Sequence, residues 1–522
     1  MDEIYRNFLG KIQLLTILNN NVKLKEKNAR ENMLRDKKFL LLLSMYLFYA
    51  IFFIYKTSVV INGERYFIIH DDIYISMQYA KNFVKGNGLV WSIGNRVEGF
   101  TNPLWTFYII IPHSLKIPPS KIPLFLQLTN LLFMLLTLIF VWKISKNYVA
   151  IFFTAFFYSM NYWFYNGFEV GILTFLSIYV IYKIIKDENP LIIYLLCAFM
   201  TFIRIDMFLF FFAVIVFYRK DLKTGILIFL AAFILQTLLR YIFYGDIFPN
   251  TYYSKLYKYP LHYRLLRSTV ALANNFYHMN FLVFALPFLL FKFLDEKNRL
   301  FLYFVLLQFL YTIYIGGDVW ELFGGTNRFV TMAMPLFFIV FAKSYEILME
   351  KIELRNKFIF YFLLLAIFIN MNAIKDLKSI KNLFSQTYDT EVGSNTLKIA
   401  LFIKKNFDDN VLIATQGAGV LPYFSDKKYY IDLLGKNDKF LAHGDIIKFS
   451  SLYQAIISAP GHIKYNQEYS IISKKPDIIV HHIHDGKIDD YLNKNYVEID
   501  KPGFKDVWIK KEIFLKKKDW VF

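Results

Sequence analysis

Apolar runs of membrane-span length recur along this chain, separated by short polar segments rich in Lys and Arg. The runs at 39–62, 122–142, 223–243, 298–315, 328–342 and 356–371 hold few charges. A soluble core does not need such runs, whereas a bilayer helix needs about 20 apolar residues. Span length and basic flanks together predict about eleven spans. These fall near 39–60, 122–142, 148–164, 168–185, 190–204, 206–218, 223–243, 277–294, 298–315, 328–345 and 356–372. The segment 104–117 is apolar but interrupted by Pro112 and His113. It is expected to lie in the membrane interface rather than to cross.

After about residue 373 the pattern changes. Charged residues become frequent, and short β-type runs appear at 411–415, 427–434, 476–483 and 506–512, punctuated by glycines. A span of about 150 residues suits one domain. The expected fold class is therefore a multi-pass α-helical membrane protein with a C-terminal soluble α/β domain. Its parts are a basic N-terminal segment (1–38), a transmembrane domain (39–372) with a large first outer loop (61–121), and the soluble domain (373–522). No internal repeat or low-complexity tract is evident.

The 522 residues are 56% hydrophobic and 20% aromatic, with a formal charge of +19. That charge sits in the short segments between spans, as the positive-inside rule predicts, so a nucleic-acid partner is not expected. Every second short segment is basic: Lys23 to Lys38 before the first span, then Lys143 and Lys146, Lys183 and Lys186, Arg219 to Lys223, Lys292 to Arg299, and Lys343 to Lys357. This puts the N-terminus in the cytoplasm and, with an odd span count, the C-terminal domain outside the cell (inner) membrane. The first span serves as the targeting signal, since no short apolar core with a cleavage site precedes it. Cys197 is the single cysteine and lies in an apolar run, which rules out an intrachain disulfide and a thiolate metal site.

Ionisable residues are costly near a bilayer, so their placement is informative. Asp71, Asp72, Arg96 and Glu98 fall in the first outer loop, Glu169 at the outer end of the fourth span, and Arg204 and Asp206 at the next outer turn. Asp246 and Lys255, then Asp318 and Arg328, fall in two later outer loops. Segments far apart in sequence thus converge on one membrane face, which argues for a single site. Each residue also has a plainer reading. The acids at 71 and 72 can cap the helix that starts beside them. Arg204 and Asp206 can be a structural ion pair, and Arg328 can snorkel to the interface. Trp91, Trp105 and Trp320 can serve as stacking platforms or as interfacial anchors. His481, His482 and His484 offer two imidazoles on one strand face, but no further ligand stands beside them, and no metal site is expected there. Gly417 and Gly419 lack the third glycine of a dinucleotide fingerprint.

The first-loop stretch Asp71-Asp72-Ile73-Tyr74-Ile75, with Tyr79, Ala80, Asn82, Gly86, Gly88 and then Arg96-Val97-Glu98-Gly99, Thr101-Asn102 and Leu104-Trp105, resembles the signature of GT-C-fold glycosyltransferases of the polyprenyl-phosphate arabinofuranosyltransferase type. The resemblance continues at Gly167-Phe168-Glu169, Arg204-Ile205-Asp206, Tyr244-Gly245-Asp246, Pro249-Asn250-Thr251, Lys255, Gly316-Gly317-Asp318, Arg328-Phe329, Gly417-Ala418-Gly419 and Ile431-Asp432-Leu433-Leu434-Gly435. Ile205 stands where that family usually has proline, and the tail beyond about 445 matches nothing in it.

The resemblance implies transfer of a sugar, a pentofuranose among the candidates, from a polyprenyl-phosphate donor to a hydroxyl of a cell-envelope glycan, lipid or protein. It implies a first-loop acid as general base, Asp71 first and Asp72 second. Arg204, Lys255 and Arg328 would hold the donor phosphate. Glu98, Glu169, Asp206, Asp246, Asp318 and His113 would contact sugar or acceptor. Membrane lipid is the surrounding partner. No cofactor is required, although a divalent cation at the acids is compatible with the scheme. The competing readings are a transporter or flippase for lipid-linked saccharides, which would place charges near the midplane and on both sides, and a non-catalytic envelope assembly protein.

Overall fold

The computed structural model describes residues 36–278, 281–318, 321, 327–351, 357–372, 386–499, 501–517 and 520–521. The basic residues up to Arg35, together with Trp320 and Arg355, lie outside that set. The chain separates into two compact units, residues 1–51 and 52–522. The first contains the start of helix α1 (Lys37–Lys56). The second holds the remaining elements.

After α1 come a hairpin of β1 (Ser58–Ile61) and β2 (Glu64–Phe67), then α2 (Asp71–Val84) and α3 (Pro103–Ser114). The hairpin turns at Asn62 and Gly63, both with positive φ. Asn-Gly is the pair that a two-residue turn of this hand favours. The apolar run that begins at 39 therefore ends as a strand and not as helix. The helical body continues with α4 (Ile122–Ser145), α5 (Tyr148–Phe156), α6 (Tyr158–Tyr165), α7 (Val170–Ile185), α8 (Pro190–Ile203), α9 (Met207–Tyr218) and α10 (Leu222–Tyr244). It ends with α11 (Asn250–Lys255), α12 (Leu261–His278), α13 (Phe281–Leu289), α14 (Glu296–Ile315), α15 (Arg328–Thr331), α16 (Met334–Lys351) and α17 (Lys357–Asn372).

Among the described residues, four helices are long and apolar enough to cross a membrane: α1, α4, α10 and α14. The pair α6 and α7 passes the same measure jointly but is bent by 119°, as a broken span or re-entrant passage would be. Helices α8 and α9 are apolar and shorter. The segment expected as one span at 148–164 is divided at Phe157, whose extended backbone (ψ 117°) ends α5 and starts α6. At 277–294 the continuous apolar helix is the nine-residue α13, with Pro287 inside it. Apolar composition thus does not by itself yield a straight span, because backbone breaks are tolerated wherever neighbouring helices cover them.

The C-terminal region begins with α18 (Tyr388–Asn406) and builds a five-stranded sheet from β3 (Leu412–Thr415), β4 (Tyr429–Asp432), β5 (Ile478–Val480), β6 (Tyr496–Glu498) and β7 (Val507–Lys510), in the order β4-β3-β5-β7-β6. Strands β4, β3 and β5 run parallel, with Ile413 opposite Tyr430 on one side and Ile478 on the other. Strand β7 is antiparallel to both β5 and β6. Between the strands lie α19 (Val420–Ser425), α20 (Lys439–His443), α21 (Leu452–Ile457) and α22 (Gly486–Asn495). Ala414, Ile431, Ile479, Leu492 and Trp508 form the core of this region.

This sheet region docks on α2. Lys81 donates to the Tyr423 carbonyl (2.5 Å) and pairs with Asp426 (3.0 Å). The Trp91 indole donates to the Ala418 carbonyl (2.9 Å), and Ile93 N–H to the Lys428 carbonyl (3.0 Å). Two glycines make the approach feasible. A Cβ at Gly419 would collide with the Asp71 carbonyl, and one at Gly99 with the Asn437 side chain. Gly419, after β3, is therefore required by the close approach of the Asp71 backbone.

Candidate active site

The start of α2 sets the site. His70 is its N-cap, and the His70 Nδ1 accepts from Asp72 N–H (3.1 Å). Asp71 and Asp72 follow in the first turn, where the helix dipole favours acids. Successive helical residues point about 100° apart, so the two carboxylates meet different surroundings. Asp71 turns to the sheet region: its oxygens accept from Gly419 N–H (3.2 Å) and Val420 N–H (2.7 Å), the first backbone donors of α19. Asp72 turns to a cavity of about 190 Å³.

The cavity collects residues from six separate stretches of chain. Asp72 and Asn102 come from the first loop, Glu169 from before α7, Arg204 and Asp206 from the α8–α9 turn, Lys255 from α11, Asp318 and Arg328 from after α14, and Lys436 from after β4. Arg204 is clamped by Asp206 through two bonds (2.7 and 2.5 Å) and by Glu169 (3.2 Å). Glu169 is held in turn by the Asn102 amide (2.8 Å), whose carbonyl oxygen accepts from Ser76 on α2 (2.9 Å). Arg328 bridges Asp318 (3.2 Å) and Asp72 (3.5 Å), with its guanidinium 5.1 Å from the Phe168 ring centre. Asn327 caps α15 and so fixes where Arg328 begins. Lys436 reaches the other Asp72 oxygen at 2.7 Å. Lys255 lines the same cavity, and among the described residues it has no ion pair within 4.0 Å.

The electrostatics differ between the neighbours. Burial pushes the Asp71 carboxyl up, opposed by the Val420 N–H, and the Asp72 charge pushes it further up. Burial also pushes on Asp72, but Lys436, with His70 and Arg328, outweighs it and holds that carboxyl well below its ordinary value. Lys255 is pushed down to about 8 by burial, with Arg328 adding to the effect against the pull of Asp72 and Asp318. For Lys436, burial is outweighed by Asp72, and the ammonium is held above its ordinary value.

Of the residues the sequence singles out, Asp72, Glu169, Arg204, Asp206, Lys255, Asp318 and Arg328 line the cavity. Asp71, Glu98, Asp246 and His113 do not. Glu98 is buried in an ion pair with Arg240 (2.5 Å), and burial raises its carboxyl to about 7. Asp246 pairs with Lys439 (2.8 Å). His113 bonds the Ile109 carbonyl (2.8 Å) and the Tyr423 hydroxyl (3.2 Å). Trp91 and Trp105 are both buried, with their indole N–H groups bonded to backbone carbonyls, so neither offers a stacking face to the cavity. Lys436 is the residue that sequence reasoning passes over. Its signal is its place directly after Gly435, the last residue of the Ile431–Gly435 motif.

Residues 381–521 match a family model described as a domain of unknown function (DUF8728). No curated protein matches the chain. Among solved structures, the archaeal oligosaccharyltransferase AglB from Archaeoglobus fulgidus, in complex with an inhibitory peptide and a dolichol-phosphate, superposes with a TM-score of 0.48 at 11% identity over 76% of this chain and 64% of that one. A likeness of that size carries no weight. ArnT from Cupriavidus metallidurans bound to undecaprenyl phosphate gives 0.54 at 9% identity, covering 90% of this chain and 97% of that one. The apo state of the same protein gives 0.50, with the same identity and coverage. The likeness to ArnT extends over nearly the whole of both chains, and the protein has the GT-C fold that its first-loop motif implies.

Proposed function

We propose that this protein is a membrane glycosyltransferase that takes a sugar from a polyprenyl-phosphate donor and passes it to an acceptor hydroxyl at the outer membrane face. The observation that carries the reading is the cavity itself. Acids and cations from six separate stretches meet there, and Lys255 stands among them without an acid partner among the described residues. The bound undecaprenyl phosphate of the ArnT structure supports a lipid phosphate as the ligand class.

In this scheme Lys255, Arg328 and Lys436 receive the donor phosphate. Arg204, already clamped by Glu169 and Asp206, shapes the wall and is not a principal phosphate ligand. Asp72 is the general base, in preference to Asp71, whose oxygens are engaged by the backbone of α19. In the resting site Asp72 is ionised and a weak base. An arriving phosphate competes for Arg328 and Lys436, which loosens their hold and raises the proton affinity of Asp72. The acceptor oxygen then bonds to the anomeric carbon, the bond from that carbon to the phosphate oxygen breaks, and the polyprenyl phosphate leaves with the electron pair. The hydroxyl proton passes to Asp72. The three cations stabilise charge on the leaving phosphate, and the base contributes on the order of a hundred- to ten-thousand-fold.

A pentofuranosyl donor and a cell-envelope acceptor are the finer form of the proposal, resting on the first-loop motif. The test is a transfer assay in membranes, with labelled polyprenyl-phosphate pentoses and hexoses and an acceptor extract, comparing wild type with Asp72→Asn and Lys255→Ala. Both variants should lose transfer while remaining folded. Full transfer by folded Asp72→Asn protein would refute the assignment of the base, and absence of transfer from every donor by wild type would refute the activity.

A further inference from the structure

We infer that His482, His484 and Asp489 form a binding site for a zinc-class divalent cation at the end of β5, separate from the cavity. None of the three lines that cavity. Their ligating atoms all lie within 4.8 Å of one another. Strand and loop alone bring two imidazoles together; the third ligand comes from α22, which begins at Gly486 just after the loop and turns Asp489 back over them.

The orientation of His482 points to a metal most directly. Its side chain is fully buried, and its Nδ1 lies 2.6 Å from Asp506 Oδ1. Asp506 is itself fixed by the His482 N–H (2.8 Å) and the Trp508 indole N–H (2.8 Å). A ring whose Nδ1–H donates to a fixed carboxylate presents the Nε2 lone pair outward, which is the arrangement that prepares histidine for a metal. That Nε2 faces Asp489 Oδ1 at 2.7 Å. Two acceptors facing each other need a cation between them, either a proton or a metal ion. His484 Nδ1 stands 3.4 Å from the same carboxylate oxygen. Ligands about 2.0–2.1 Å from a tetrahedral zinc are separated by about 3.3 Å, so this edge already fits and the 2.7 Å edge must open by roughly 0.6 Å. Asp489 can supply that movement, since it sits on the partly exposed side of α22. Two imidazoles and a carboxylate favour zinc and its neighbours over calcium or magnesium. His484 is exposed, so a fourth position is open to water.

The site would tie the end of β5 to α22, next to His481, whose surroundings include the Asp71 charge. It does not depend on the proposed transfer reaction. The test uses the full chain without an affinity tag, stripped by chelating resin in detergent, then titrated with Co²⁺ and with Zn²⁺. Wild type should show the visible spectrum of four-coordinate cobalt and take up roughly one zinc per chain. His484→Ala and Asp489→Asn, both at partly or fully exposed positions, should keep the wild-type circular dichroism and lose the spectrum. Asp72→Asn should retain it, which separates this site from the first-loop acids. Uptake unaffected in the first two variants, uptake lost in Asp72→Asn, or no uptake by wild type would each overturn the assignment; the last would leave a proton between His482 and Asp489.

Discussion

Lys255 gives the most quantitative check on the phosphate assignment. Burial, aided by Arg328, lowers its ammonium to about 8 in the free protein. A bound phosphate adds a negative charge beside it and shifts it back toward the ordinary lysine value of about 10.4. Binding is then linked to protonation. In the free protein about nine-tenths of Lys255 is charged at pH 7 and about one-tenth at pH 9, while in the complex it stays charged throughout. Apparent affinity should therefore fall about tenfold between pH 7 and pH 9, or about 1.4 kcal/mol. The sign comes from the direction of the shift: a group whose pKa is raised on binding favours the complex most when the free form has lost its proton least. The ligand should be a polyprenyl phosphodiester, whose single charge does not titrate in this range, measured by calorimetry in detergent. Lys436 and Arg328 are both held above their ordinary values and do not contribute a slope there. Lys255→Arg should bind with little dependence on pH, since guanidinium stays charged. A flat profile in wild type, or an unchanged slope in Lys255→Arg, would refute a phosphate contact at Lys255.

Other variants separate structural from chemical roles. Asp72→Asn removes the carboxylate charge that Lys436 and Arg328 hold; an expected loss of about 1–3 kcal/mol should appear as a lower melting temperature, with Asp71→Asn, whose carboxyl burial already pushes up, melting closer to wild type. Gly419→Ala places a methyl group against the Asp71 carbonyl and should loosen the docking of the C-terminal region by about 1–3 kcal/mol, read as faster limited proteolysis near residue 419. Arg204→Ala strands Glu169 and Asp206 as buried acids, a loss of about 3–5 kcal/mol that should show as reduced folded yield and not as a change in KM alone. Restored yield in Arg204→Ala combined with Glu169→Gln and Asp206→Asn would confirm that origin.

Much of the cavity was legible because each of its segments carries a local anomaly. Glu169, Arg204, Asp206 and Asp318 are ionisable residues beside apolar runs, and the energetic cost of such charges makes them conspicuous. Arg204 and Asp206 even predict their own ion pair from a spacing of two. The hairpin at Asn62-Gly63 was not read, because the apolar run at 39–62 concealed it. Lys436 was not legible as a partner of Asp72, since 364 residues separate them. Nor was the role of Asp489, which depends on α22 folding back over β5. Glu98 and Asp246 carried the same sequence signal as the cavity acids but are paired elsewhere, with Arg240 and Lys439.

Residue order alone is enough to show a membrane chain with ionisable residues gathered in a few intervening segments, and its first-loop motif points to the GT-C fold. Those conclusions rest on local sums: apolar length sets membrane affinity, and charge beside an apolar run signals a cost that something offsets. Packing alone gave Asp71 and Asp72 different surroundings. The two are adjacent and identical in chemistry, and what separates them is a rotation of about 100° along α2. That rotation turns one carboxylate to the backbone of α19 and the other to Lys436, Arg328 and the cavity. Side-chain direction combined with long-range packing sets such a difference, and neither is encoded in the residues on either side.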